Sequence, residues 1–103
     1  MLVIHVEGEV DMSTSPELRD VLVPAFGRGL SHIVVDLSGV PYIDSSGIAT
    51  LVEGLKLSRE GGARFTIAGA RSSVKAVFEL AYLHEIFEMV PMAEKLWEGE
   101  AGA

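Results

Sequence analysis

Two spacings of apolar residues alternate along the chain, one suited to strands and one to helices. Leu2-Val3-Ile4-His5-Val6-Glu7 sets Leu2, Ile4 and Val6 on one face and His5 and Glu7 on the other, which predicts a strand ending at Gly8. Asp11 follows in a loop, and Ser13-Thr14-Ser15-Pro16-Glu17 opens a helix. Thr14 and Glu17 fit a capping box, and Pro16 fits the first turn, where its missing N–H costs nothing. Leu18, Val21, Leu22 and Ala25 keep the i, i+3, i+4, i+7 spacing of a buried helical stripe, and Gly27 closes the segment. Ile33-Val34-Val35-Asp36-Leu37 is nearly continuous and β-branched, as in a strand covered on both faces.

The second helix is expected over about Ser45 to Glu60, with Ile48, Leu51, Val52 and Leu55 as its apolar stripe and Gly61-Gly62 as its stop. Gly54 inside it costs about 1 kcal/mol against alanine, which suggests close packing there. Arg64 to Ala68 predicts a third strand. Ser72 or Ser73 caps a third helix with the stripe Val74, Val77, Phe78 and Ala81. Glu85 to Val90 predicts a fourth strand, and Pro91 starts a short terminal helix carrying Leu96 and Trp97 before a frayed tail, Glu98 to Ala103. Strands alternating with helices at short spacing imply one α/β domain spanning residues 1–103, its core at about 2–90, with right-handed crossovers and helices packed on a sheet.

The turn Tyr42-Ile43-Asp44-Ser45-Ser46-Gly47-Ile48 leads from a strand into the longest helix. Asp44 reads as its N-cap, which places Ile43 and Ile48 at the two positions of a hydrophobic staple. Ser45 and Ser46 then lie in the first turn, where free N–H groups and the helix dipole favour negative charge. A phosphate on either hydroxyl would meet an anion-favouring site. From spacing alone, helix capping is a sufficient account of Asp-Ser-Ser.

Composition narrows the chemistry. The 103 residues are 49% hydrophobic and carry a formal net charge of -7, so a nucleic-acid partner, which needs a basic face, is not expected. There is no cysteine, which excludes disulfides and thiolate metal sites. No apolar run reaches membrane-spanning length and no basic leader opens the chain, so a soluble, cytoplasmic protein is expected, without membrane insertion. His5, His32 and His84 are scattered and read as surface or half-buried residues. Asp11, Asp36 and Asp44 could converge at the C-terminal ends of strands and hold a cation, but capping explains them more simply. No metal site, cofactor or catalytic residue is assigned, and the chain is not read as an enzyme.

Ile43-Asp44-Ser45-Ser46-Gly47-Ile48, with Gly8-Glu9-Val10-Asp11 upstream and Gly61-Gly62 downstream, resembles the bacterial anti-sigma factor antagonists, the small stand-alone members of the STAS family. The resemblance runs from about Leu2 to Val90. It implies a small mixed β-sheet flanked by helices, with one more strand usually found before the segment at Leu2–Glu7, for which this sequence has no residues. An exposed sheet edge or a homodimer would follow. It also implies a switch. An anti-sigma factor with serine kinase activity would bind around Asp11, Asp44, Ser45, Gly47 and Ile48 and phosphorylate Ser46, with Ser45 the fallback. A phosphatase would reset the switch. The alternative is a constitutive STAS scaffold subunit of a lipid-transport ATPase or a stress-signalling assembly. Ala81-Tyr82 stands where many relatives have Ser-Gly.

Overall fold

A strand that is followed by a helix re-enters the sheet from the same end, so consecutive strands joined in this way run parallel. The computed structural model describes residues 1–94 and 96. It contains β1 (Leu2–Glu7), α1 (Ser15–Phe26), β2 (His32–Gly39), α2 (Ser45–Gly61), β3 (Arg64–Ala68), α3 (Ser72–Leu80), a 3-10 turn at Leu83–Glu85, and β4 (Glu88–Val90). The sheet order is β1-β2-β3-β4, and every pairing is parallel. The expected α/β layering is therefore present. The sheet is all-parallel among the described residues rather than mixed, because each described pair is linked through a crossover. Trp97 and the tail Glu98 to Ala103 lie outside the described residues.

β2 is buried on both faces, as its continuous apolar run requires. Ile33, Val35 and Leu37 join Leu22, Leu51 and Phe78 in the main core, while Val34 packs with Ala68, Ala93 and Leu96 on the other face. A chain of edge-to-face rings ties the layers together. Phe26 meets Phe65 at 5.6 Å, Phe65 meets Phe87 at 6.2 Å, and Phe87 meets Phe78 at 5.4 Å between centroids.

The helical stripes differ from their apolar spacing in three places, one of them Ala81, which is exposed at the C-cap of α3 instead of lying on its buried face. Val21 of α1 and Val52 of α2 are exposed, at 55% and 39%. The buried face of α2 is instead built around small side chains, with Gly47, Thr50, Gly54 and Ser58 beside Leu51 and Leu55. These let α2 approach its neighbours: a Cβ on Gly54 would lie 2.9 Å from Leu22 Cδ2 and 3.1 Å from Phe65 Cζ. Gly62, with φ 74°, ends α2 in a left-handed cap whose N–H bonds Ser58 O.

The fourth strand starts later than its pattern suggests. Leu83–Glu85 tighten into the 3-10 turn, and Phe87 N–H bonds Leu83 O at 3.0 Å, so pairing begins only at Glu88. A polar network then fastens this short strand. The Thr66 hydroxyl contacts Glu88 and lies 2.8 Å from His32 Nε2, and Arg64 grips both Glu88 oxygens at 2.7 and 2.6 Å. His32 is buried here, not at the surface.

Glu88 should therefore hold β4 in place. Its pairing with Arg64 lowers its carboxyl pKa, so its contribution is present above the ordinary glutamate range and fades as pH falls through the lowered value. Glu88→Ala should cost about 1–2 kcal/mol, since the pair is partly solvated. It should also accelerate amide exchange at Met89 and Val90. Unchanged exchange at those amides would show that strand pairing alone holds β4.

Candidate functional site

Two loops at the C-terminal ends of β1 and β2 are stitched together before either helix begins. Val10 N–H bonds Tyr42 O at 2.9 Å, and Asp44 N–H bonds Val10 O at 3.0 Å, forming an isolated parallel bridge between Val10 and Ile43. The pairing brings Asp11 and Asp44 to one end of the sheet. Asp36 does not join them. Its carboxylate turns to His5 Nδ1 at 2.9 Å and to the Ser38 N–H at 3.0 Å. No cluster of three or more metal-binding side chains exists among the described residues.

Asp11 organises the start of α1. Its Oδ1 accepts from Ser13 N–H at 2.9 Å, the Ser13 hydroxyl at 2.7 Å and Thr14 N–H at 3.1 Å. Asp11 N–H in turn donates to Thr14 Oγ1 at 2.9 Å. The capping box expected of Thr14 and Glu17 is not formed. Thr14 occupies the N-cap position without a side-chain cap bond, because its hydroxyl is engaged with the Asp11 loop and Glu9 O.

Asp44 is the N-cap of α2, as expected. Its Oδ1 accepts from Ser46 N–H at 2.9 Å and Gly47 N–H at 3.3 Å, and from the Ser46 hydroxyl at 2.5 Å. The Ser46 hydroxyl bond is the leading reason that the Asp44 carboxyl lies below its ordinary value, with the cap N–H bonds adding to it. The nearby Asp11 charge works the other way. Asp11 is lowered too, chiefly by the Ser13 hydroxyl and N–H. The first-turn N–H groups of Ser46 and Gly47 are thus already taken by a carboxylate. The anion-favouring site expected at this helix start is occupied by the chain's own Asp44.

Ser45 is exposed, Ser46 and Ile48 are half-buried, and Gly47 is buried. Gly47 lies directly on the stitched loops. A Cβ there would come within 2.6 Å of both Ile43 Cγ1 and Val10 Cγ1. From below, α3 braces the same loop: the Ser73 hydroxyl donates to Pro41 O at 2.9 Å and Arg71 Nε donates to Ser38 O at 2.8 Å. Neither Ser72 nor Ser73 caps α3. Arg71 takes the N-cap position, with no side-chain cap bond.

The sequence reading missed the supports, Val10 and Arg71, and the exposed apolar side chains beside the site. Met12 is 80% exposed next to Asp11, and Tyr42 is 51% exposed two residues before Asp44. Both lie outside every helical or strand stripe, which is the signal that marks them. The result is a shallow surface with two carboxylates, two serine hydroxyls and flanking apolar groups. It suits a protein partner better than a small molecule, which favours concave sites.

The chain matches the family model of the STAS domain over residues 1–98. It is 31% identical over 86 residues to the anti-sigma-B factor antagonist of Staphylococcus epidermidis, covering 84% of this chain and 80% of that protein. The anti-sigma-B factor antagonist of Staphylococcus aureus is 33% identical over the same shares. Among solved structures, an anti-sigma factor antagonist from Mycobacterium paratuberculosis superposes with a TM-score of 0.84 at 23% identity, covering 94% of this chain and 82% of that one. The anti-sigma factor antagonist SpoIIAA in its unphosphorylated form superposes at 0.73 and 18% identity, over 98% and 88%. At these identities the two structures establish the shared fold.

Two outcomes follow from the site's geometry. Gly47→Ala should destabilise the protein, because overpacking costs about 1–3 kcal/mol against the roughly 1 kcal/mol that alanine gains in a helix. Urea denaturation measures this, and a stabilised variant would refute the close packing. Asp11 and Asp44 are lowered in the folded state, so they stabilise above the unfolded carboxyl range and lose that effect as pH falls through their folded values. Asp44→Ala should lower the melting temperature by roughly 4–8 °C at neutral pH, more than Ser46→Ala does, and should flatten the acid side of the stability profile. An acid limb as steep as wild type would place the titrating group elsewhere.

Proposed function

The chain belongs to the STAS family, and we propose that it is a phosphorylation-controlled anti-sigma factor antagonist: a binding protein, not an enzyme. One observation carries the reading. Ser46 presents a half-buried hydroxyl, hydrogen-bonded to a carboxylate at 2.5 Å, at the centre of an exposed apolar and acidic surface. The two staphylococcal relatives named above support the partner class, since both are anti-sigma-B factor antagonists.

In the unmodified state, the surface of Asp11, Asp44, Ser45 and Ile48, set over Gly47 and flanked by Met12 and Tyr42, docks on an anti-sigma factor and frees the sigma factor that partner would otherwise hold. The same partner, carrying serine kinase activity, supplies ATP. Ser46 Oγ then forms the new O–P bond to the γ-phosphorus, the bridging P–O bond breaks, and ADP leaves with its electron pair. The hydroxyl proton leaves by way of Asp44 Oδ1, which already accepts it as a hydrogen bond, and passes on to solvent, so that Asp44 ends as a carboxylate. The role of Asp44 is alignment more than basicity, because its pKa is lowered.

The product carries a charge of about -1.5 to -2 next to Asp44 and near Asp11. Asp44 already holds the cap N–H groups, so the phosphate adds to the local negative charge without replacing it. The surface that bound the partner becomes strongly anionic, and affinity falls by about tenfold for each 1.4 kcal/mol of repulsion and desolvation. A phosphatase restores the starting state. All of this takes place in the cytoplasm. No helix among the described residues is long and apolar enough to cross a membrane.

Treatment with the cognate kinase and ATP should add one phosphate, and peptide mapping should place it on Ser46. Phosphate found only on Ser45 or Thr14 would overturn the assignment. Ser46→Asp should stay folded yet bind the anti-sigma partner roughly 100-fold more weakly, a loss of about 2.7 kcal/mol. Ser46→Ala should bind like wild type and resist release by ATP. Titration calorimetry beside thermal melts reads both quantities. Equal affinity for wild type and Ser46→Asp would leave a constitutive scaffold as the better account.

A further inference from the structure

The outer edge of β1 carries an opportunity that the Ser46 surface does not use. β1 pairs only with β2, and among the described residues nothing covers its other side. In a parallel ladder alternate residues direct N–H and C=O away from the partner, so this edge offers unpaired backbone donors and acceptors. Leu2, Ile4 and Val6 are only half-buried, in contrast to the fully buried Ile33 and Val35 opposite them in register.

Beside that edge, a groove of about 210 Å³ runs between β1 and α1. Ile4 and Val6 of β1 and Leu18 and Val21 of α1 give it an apolar floor, and Val21 is 55% exposed. Its rim is acidic, with Glu7, Glu9 and Glu17 all exposed. None of these carboxylates forms an ion pair among the described residues. The two nearby basic groups are engaged elsewhere, His5 with Asp36 and Arg19 with Glu53 across to α2. An unpaired strand edge, an apolar floor at alternate positions and an uncompensated acidic rim specify one kind of occupant.

We propose that the β1 edge binds an extended segment of a protein partner in which apolar residues alternate with lysine or arginine, added to the sheet as a fifth strand. Backbone bonds to β1 supply the affinity, the apolar side chains enter the groove over Val6 and Val21, and the basic side chains meet the glutamate rim. A second copy of this chain fits less well, because its own net charge of -7 and its own acidic rim would be brought to the same edge.

The test uses the whole chain and a synthetic peptide on the order of eight residues that alternates valine and lysine. A control peptide carries glutamate in place of lysine. Heteronuclear NMR titration should show the lysine peptide shifting and protecting alternate β1 amides, with the glutamate peptide weaker by at least about tenfold. Glu17→Lys and Val21→Lys, both on the exposed side of α1, should each reduce the affinity by about tenfold while leaving the circular dichroism unchanged. Ser46→Asp should leave peptide binding unaltered, so failure here is separable from failure of the Ser46 switch. Equal binding of the two peptides, or no protection by either, would overturn the proposal. So would concentration-dependent dimerisation that protects the same amides without peptide, which would make a second copy the occupant.

Discussion

The contact on which the site depends is the Asp44 carboxylate closing the first turn of α2. A single oxygen takes the N–H of Ser46, the N–H of Gly47 and the hydroxyl of Ser46. Those bonds fix where the longest helix begins, and therefore where its small-residue face meets Leu22 and Phe65. They also fix the Ser46 hydroxyl in one orientation. Helix capping and presentation of the hydroxyl are performed by the same atom, so neither can be altered without the other.

The cap would be misplaced without the loop beneath it. Val10 and Ile43 form a bridge outside the main sheet, and Gly47 is the one residue that lets α2 settle on them. Parallel order explains why these loops meet at all. β1 and β2 are neighbours that point the same way, so the turns leaving them emerge side by side at one end of the sheet. Asp11 and Asp44 lie 33 positions apart in the sequence and become neighbours for this topological reason alone.

Much of this was legible in the sequence, because it was local. The Asp44 cap, the α2 stop at Gly62, the tight packing at Gly54 and three of the four strand positions follow from residue types a few positions apart. What was not legible depended on tertiary competition. Thr14 and Glu17 had the spacing of a capping box, but the Thr14 hydroxyl found the Asp11 loop and Glu9 O first. Ser73 had the composition of a cap and was drawn to Pro41 O instead. Val21 and Val52 fitted an apolar stripe, yet both stand exposed, and the buried face of α2 carries Gly47, Thr50, Gly54 and Ser58 beside its leucines. The mixed sheet came from resemblance, and the crossovers among the described strands make it parallel. Met12 and Tyr42 carry no periodic signal, so only the surface shows that they stand exposed on the two stitched loops.

The occupied cap also decides what a phosphate on Ser46 can do. An empty helix N-terminus would welcome the new charge: free N–H groups would solvate it, and the dipole would offset part of its cost. Here Asp44 has already claimed the Ser46 and Gly47 N–H groups, so the phosphate either shares them with a neighbouring carboxylate or stays in solvent. In both cases two anions stand side by side on the surface, and the Ser46 hydroxyl proton that had bridged them is gone. In the proposed switch the penalty on docking would therefore be larger than a bare helix terminus would impose, while the buried supports, Val10, Ile43 and Gly47, would stay untouched. A surface that loses its partner while its scaffold stays intact is what a reversible switch requires. In the proposed switch the Asp44 cap would provide it by filling, in advance, the place where a phosphate would otherwise be accommodated.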